Sequence, residues 1–88
     1  MNKFLNFLGI CKKSGKISLG FESCIDTVKK KNSFLILFAN DLSPKTFKKF
    51  DEASSNFNVE KINLKFKIND LYAILNRNVG IISINEKI

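Results

Sequence analysis

The stretch Phe34-Leu35-Ile36-Leu37-Phe38-Ala39, followed directly by Asn40-Asp41-Leu42-Ser43-Pro44, decides the fold of this chain. Six apolar residues in an unbroken row are typical of a strand that is covered on both faces, as in a parallel or mixed sheet between two layers of helices. Ser43 is suited to an N-cap and Pro44 to the first position of a helix, so the chain passes from strand to helix within a few residues. In open α/β sheets, ligands collect where strands end and helices begin. The sequence therefore predicts that function lies at this end of the strand.

The other apolar residues predict that helices and strands alternate along the chain. Residues 4–13 and 21–28 repeat at helical spacing. A third helix is predicted from Pro44 to about Phe57, with Ala53 facing inward, and a short fourth helix follows a cap at Asn69-Asp70. Asn32 is expected to end the second helix in left-handed geometry. Strands are predicted at residues 16–19, 34–39, 62–68 and 79–84, the third of them with one wet face.

This order, α-β-α-β-α-β-α-β, predicts an α/β fold. Its helices are expected to enclose the sheet, giving a three-layer α/β/α sandwich with a mixed four-stranded sheet. We expect the strand at residues 34–39 to be central and fully buried. Residues 1–88 are expected to form a single domain.

Composition excludes several classes of protein. The chain has 88 residues, of which 44% are apolar, and no apolar run approaches the roughly 18 residues of a membrane span. The run from Phe4 to Cys11 lacks the cleavage site of a signal peptide, so we expect a cytoplasmic protein. With no His and two Cys, neither a zinc site nor a His-assisted nucleophile can be assembled, so we expect no metal, no cofactor and no small-molecule substrate. Cys11 and Cys24 are interpreted as small buried hydrophobes, with a disulfide or redox pair as the alternative.

The charge of the chain points to an anionic partner. Its net charge of +7, carried by 15 basic residues, favours nucleic acid. A source genome biased toward Lys, Asn, Ile and Phe would produce a similar charge without any such partner. Charge alone therefore leaves both interpretations open.

The order of several short motifs resembles one family of RNA-binding proteins. These motifs are Gly15-Lys16-Ile17, Leu19-Gly20 before a helix that ends in Lys, Leu35 to Asp41 with Ser43-Pro44, Asn58-Val59 and Asp70-Leu71. Together they are similar to the kink-turn RNA-binding ribosomal protein superfamily, the large-subunit "L seven-Ae" and "L thirty-e" group. Among its members, the small bacterial YlxQ-type proteins are nearest in length and opening. The resemblance covers nearly the whole chain and implies the same sandwich fold.

The resemblance implies that RNA is held at one edge of the sandwich. The implied contacts are the turn that opens the second helix (Gly20 to Ser23), the loop after the buried strand (Asn40 to Ser43) and the loop before the last strand (Asn76 to Val79). Relatives usually carry Asn-Glu two residues beyond the glycine and a Lys three residues after that Glu. This chain has Glu22-Ser23 and Asp26 at those positions.

Physical chemistry supports the same edge without the family. Backbone N–H groups at the starts of the second and third helices can bind phosphate, and Lys16, Lys45 and Arg77 are expected to supply positive charge nearby. The candidate RNA-binding residues are Lys16, Gly20, Phe21, Glu22, Ser23, Asp26, Asn40, Asp41, Leu42, Lys45, Asn76, Arg77, Asn78 and Val79. The alternatives are a solvated asparagine-rich turn at 76–78, a purely structural cap at Ser43, and an acid/base pair of Glu22 and Asp26, which lacks a partner in a pocket.

We therefore predict a non-enzymatic RNA-binding protein that is ribosome-associated, monomeric when free, and recognises a bent or looped structured RNA. One alternative is a protein-interaction module of the same fold that has lost RNA binding. Another is an RNA-substrate-binding accessory that works with a separate RNA-modifying enzyme.

Overall fold

Helices and strands alternate in the predicted order. The computed structural model describes residues 2–85. Its helices are α1 (Lys3–Lys13), α2 (Phe21–Lys29), α3 (Pro44–Ala53) and α4 (Ile68–Leu75). Its strands are β1 (Ile17–Leu19), β2 (Ser33–Phe38), β3 (Glu60–Asn63) and β4 (Ile81–Asn85).

The four strands form one mixed sheet in the order β1-β4-β2-β3. β2 lies in the interior of the sheet, antiparallel to β4 and parallel to β3. β1 closes the other side by pairing antiparallel with β4. The predicted mixed four-stranded sheet with a central second strand is therefore confirmed.

Two separate apolar cores lie on the two faces of the sheet. Alternate residues of β2 supply both cores, because successive side chains of a strand point to opposite faces. Leu37 packs with Leu8 of α1 and Leu71 of α4, whereas Phe38 packs with Phe50 of α3 on the other face. The residues of α2 in this second core are Cys24, Ile25 and Val28. The predicted three-layer α/β/α sandwich is confirmed.

The prediction of full burial along residues 34–39 is wrong at the start of the strand. Residues 36–39 are buried, but Leu35 is only half-buried and Phe34 is 63% exposed. The pairing of β2 with β4 shifts register between Ser33 and Leu35, so Phe34 lies at a bulge. The helices on either face do not cover it there.

α3 ends four residues earlier than predicted. Ser54 follows Ala53 as the C-cap, and its Oγ donates a 2.8 Å hydrogen bond to the carbonyl of Phe50. This local bond competes with continuation of the helix. Ser54 is consequently buried and Ala53 exposed, whereas Phe57 packs against the core from the turn that follows.

β3 is also shorter than the predicted strand at 62–68. It runs parallel to β2 and can pair only as far as β2 extends, and the N–H of Leu64 makes the next bond, to the carbonyl of Phe38. The chain then turns, and α4 begins at Ile68 with Lys67 as its N-cap rather than after a cap at Asn69-Asp70. Asp70 still contributes, because its Oδ2 accepts the N–H of Lys67 at 2.9 Å.

The two cysteines lie in different cores, which contradicts the disulfide alternative. Cys11 belongs to the core on the α1 side and Cys24 to the core on the α2 side, and both thiols are free. Burial raises the pKa of Cys24 to about 12. A protonated, buried thiol behaves as a small hydrophobe, as the apolar neighbours of both cysteines in the sequence predicted.

The left-handed residue after α2 is Lys31 rather than Asn32. Lys31 has φ +60°, and its N–H bonds the carbonyl of Val28. Asn32 instead donates its N–H to the carbonyl of Thr27. The expected left-handed turn therefore exists but is displaced by one residue.

We expect Phe50→Ala to destabilise the protein strongly. Phe50 is fully buried and packs edge-on against both Phe21 and Phe38, with ring centroids 5.4 and 5.6 Å away. The cavity should cost about 3 to 5 kcal/mol. Chemical denaturation measures this loss, with Phe34→Ala as a matched exposed control that should cost under about 1 kcal/mol. Equal losses for the two variants would contradict the assignment of Phe50 to the core.

We expect Gly20→Ala to destabilise the fold through backbone strain. Gly20 links β1 to α2 at φ +94° and ψ 165°, a conformation that is almost exclusive to glycine. A Cβ at this position would have room, since its nearest neighbour is Val79 Cγ1 at 3.8 Å. The strain should lower the free energy of unfolding by about 1 to 3 kcal/mol. Ser23→Ala is the control in the same turn, and a Gly20 variant as stable as that control would show that the turn relaxes freely.

Candidate nucleic-acid interface

Backbone hydrogen bonds bring three of the predicted segments to one edge of the sheet. Beyond the end of β2, the N–H of Ala39 donates to the carbonyl of Gly80 at 2.9 Å. Beyond the end of β1, the N–H of Gly20 donates to the carbonyl of Ile81 at 2.9 Å. The turn that opens α2, the loop after β2 and the loop before β4 are therefore neighbours, and we call this end of the sheet the loop edge.

Side chains pack closely where these loops meet. A Cβ placed on Gly80 would come within 2.8 Å of Leu42 Cδ1, so the loop after β2 lies directly on this glycine. Apart from its neighbours in the chain, the side chain nearest to a Cβ placed on Gly20 would be that of Val79, at 3.8 Å. Leu42 and Val79 are half-buried and act as the apolar floor of the loop edge.

A fourth segment, residues 64–67, belongs to the loop edge and was missed from the sequence. The N–H of Asn40 donates to the carbonyl of Phe66 at 2.7 Å, and Asp41 Oδ1 accepts the N–H of Ile68 at 2.9 Å. Lys65 and Lys67 are exposed beside these bonds. Alternation of Lys with apolar residues continues past Asn63, so this segment looked like more strand. The parallel pairing with β2, which ends at Phe38, is what bends it into the edge.

Three helices begin at the loop edge, and their first N–H groups are occupied differently. At α4, Asp41 and Asp70 already accept backbone N–H groups, and at α3, Ser43 Oγ accepts the N–H of Thr46 at 3.2 Å. The start of α2 has no side-chain cap, because its N-cap is Gly20. The first N–H groups of a helix have no partner within the helix. The start of α2 therefore offers open donors for an anion.

Four exposed cationic side chains lie in or next to the segments of the loop edge. They are those of Lys45, Lys65, Lys67 and Arg77. Arg77, the sole arginine of the chain, follows Asn76, which ends α4 in left-handed geometry at φ +57°. Asn78 lines a shallow groove of about 250 Å³ with Asn69 and Tyr72. The edge can thus present both backbone and charged donors to phosphate.

The acidic candidates differ in whether they are free to contact a ligand. Glu22 is exposed in the first turn of α2, beside the open donors, and so is its neighbour Ser23. Asp41 serves as a cap for α4 and is engaged within the protein. Asp26 lies more than a turn further along α2 and forms an exposed ion pair with Lys30 at 3.1 Å.

Two candidates do not face the loop edge as expected. Lys16 precedes β1, and its carbonyl accepts the N–H of Asn85 at the far end of β4, so it lies at the opposite end of the sheet. The expectation that its charge lies near the other candidates is wrong, because β1 runs from Lys16 toward the edge rather than along it. The ring of Phe21 turns inward and packs edge-on against Phe50.

No cluster of three or more His, Cys, Asp or Glu that could hold a metal occurs among residues 2–85. Nor does this part of the chain contain a helix long and apolar enough to cross a membrane.

Comparison with known proteins identifies the fold but no family. No family and no curated protein matches the sequence. Among solved structures, a Bacillus halodurans protein described as having unknown function superposes with a TM-score of 0.86 at 16% identity, over 99% of this chain and 88% of that one. The Giardia lamblia 15.5kD RNA binding protein superposes with a TM-score of 0.77 at 19% identity, over 93% of this chain and 70% of that one. At these identities the chain shares a fold with both proteins.

Proposed function

We propose that this chain is a non-enzymatic RNA-binding module of the kink-turn ribosomal protein type, nearest to the YlxQ-type proteins. It binds a bent or looped structured RNA, acts in association with the ribosome in the cytoplasm, and is monomeric when free. The observation that carries the proposal is the loop edge itself. Four segments are neighbours there, the first N–H groups of α2 are uncapped, and four exposed cations lie in or next to the segments, on a fold shared with a protein named for RNA binding.

The distribution of side chains favours recognition of a particular RNA shape over general charge attraction. The open donors at the start of α2 are fixed backbone groups, whereas the cations come from the other loops and from the first turn of α3. A phosphate backbone that contacts both must follow the outline of the edge. A-form helices are recognised largely by shape and by phosphate contacts, and unstacked bases in bends can be read by hydrogen bonding. Glu22, beside the open donors, can accept hydrogen bonds from base amino or 2′-hydroxyl groups.

A protein-interaction role for the same edge is the second candidate. It is favoured by Glu22, whose charge opposes that of phosphate, and by the absence of the family's Asn and Lys at Glu22 and Asp26. The two candidates differ in their salt dependence. Phosphate contacts release counterions, so RNA affinity falls steeply as salt rises.

We expect the protein to bind an RNA duplex interrupted by a kink-forming internal loop more tightly than the same strands fully paired. It should also prefer this RNA to duplex DNA of equal length. Each phosphate contact should add about 0.7 to 0.9 to the slope of log affinity against log salt. Titration at several salt concentrations tests the proposal, with heparin as a competitor. Equal affinity for all of these polyanions would reduce binding to charge alone, and no affinity at low salt would favour the protein-interaction role.

We expect Arg77→Ala to weaken binding of the preferred RNA by about 1 to 3 kcal/mol, because a guanidinium can form paired hydrogen bonds to phosphate or a base edge. Lys67→Ala should reduce the salt slope by about one unit. Lys29→Ala is the control, since Lys29 is an exposed cation at the opposite end of α2. All variants are titrated at one salt concentration, and Lys67→Ala over a salt series. If the control weakens binding as much as Arg77→Ala does, the site is not at the loop edge.

A further inference from the structure

A groove at the opposite end of the sheet exposes three large apolar side chains. Phe7 is 49% exposed, Ile10 62% and Phe34 63%. They line one groove of about 370 Å³ between α1 and the ends of β2 and β4, and its other lining residues are Cys11, Ser14, Lys16 and Ile84. Three large apolar side chains exposed side by side make this groove a candidate interaction surface. We call it the α1 groove.

The bulge in β2 is what aims Phe34 into the α1 groove. Ser33 points to the α2 face, where its Oγ lies 2.7 Å from the Oγ of Ser83. In a regular strand, Leu35 would point to the same face as Ser33, because residues two apart share a face. Leu35 instead packs on the α1 side. The register shift between Ser33 and Leu35 therefore lets Phe34 reach the groove beside Cys11. Bulges commonly re-aim a side chain for function, and this one leaves a phenylalanine in water.

Within the described part of the chain, the charged residues that line the α1 groove and the groove beside it are lysines. Lys16 lines the groove itself. Across Ile10, an adjoining groove of about 480 Å³ is lined by Leu5, Asn6, Gly9, Ile10, Lys13, Ala73 and Ile74. Neither groove has an acidic lining residue there. An apolar centre with a basic rim is complementary to an apolar stripe flanked by carboxylates.

We propose that the α1 groove binds an amphipathic helix of an acidic partner protein. The groove runs beside α1, whose Phe7 and Ile10 are spaced one turn apart, so a helix can lie along it and insert apolar residues at i, i+3 or i+4 and i+7. Asp and Glu residues that flank the apolar stripe of the partner helix pair with Lys16 in this groove and with Lys13 in the adjoining one. A second copy of this chain fits less well, because each copy carries +7 and the groove is rimmed by lysines.

Selection of a displayed library of helical peptides against the whole protein tests this proposal. We expect the enriched peptides to combine an apolar stripe at i, i+3 or i+4 and i+7 with acidic flanks. The best peptide should then bind about tenfold more weakly to Ile10→Ser and to Lys16→Glu. Ile62→Ser is the matched control for the first variant, because Ile62 is 42% exposed on the edge strand β3. Lys48→Glu, on an exposed position of α3, is the control for the second.

Three results would overturn the proposal. Enrichment of basic, extended or no peptides would mean that the groove does not take an acidic helix. Concentration-dependent self-association that Ile10→Ser abolishes would assign the groove to a second copy. Binding to phosphatidylglycerol vesicles that Ile10→Ser abolishes would assign it to an anionic membrane surface. RNA affinity measured on the Ile10→Ser variant separates this groove from the loop edge, since it should be unchanged.

Discussion

The position of β2 inside the sheet is the constraint on which the rest of the structure depends. It is hydrogen-bonded on both sides, and its side chains, like those of β4, alternate between the two cores. Its last bonds also set the candidate site. Ala39 holds the loop before β4, and the N–H of the next residue, Asn40, holds the segment after β3. The loop edge is therefore assembled by the end of one strand rather than by contacts among the loops alone.

The sequence was sufficient for the fold because each of its signals is local and they agree with one another. The apolar run at 34–39 identified the central strand, and the Ser43-Pro44 pair identified the start of α3 correctly. The misplaced ends depend on partners that a sequence does not display. β3 stops where its neighbour stops, α3 stops where Ser54 bonds back to Phe50, and Phe34 is exposed because of a register shift against β4. The alternation of apolar and polar residues in one segment does not show where the neighbouring strand begins or ends.

In the candidate site, too, features set by local sequence were predicted and features set by distant partners were not. The sequence predicted that the loops at Gly20, Asn40 and Asn76 belong to one edge, and the structure places those at Gly20 and Asn40 against Gly80. Lys65 and Lys67 were not predicted as part of the site because their alternation with apolar residues is typical of a strand. Lys16 was wrongly predicted at the edge because, although it is near Gly20 in the sequence, the whole of β1 separates the two residues. Caps could not be assigned either. Asp41 looked available in the sequence but is bound to the start of α4, 27 residues away.

Each aspartate is engaged by a partner within the protein, which leaves the described lysine side chains of the loop edge and of the α1 groove without an aspartate partner. All four aspartates have partners: Asp26 with Lys30, Asp51 with Lys61, and Asp41 and Asp70 with backbone N–H groups at α4. Only two of these pairings use a lysine, so most basic side chains among residues 2–85 form no ion pair with an aspartate. The cations of the loop edge and Lys16 of the α1 groove lie at opposite ends of the sheet, which the six residues of β2 hold roughly 20 Å apart. That distance exceeds the roughly 8 Å Debye length at physiological salt. The two ends are therefore electrostatically separate surfaces, so the acidic partner proposed for the α1 groove and the RNA proposed for the loop edge would not compete for the same charge.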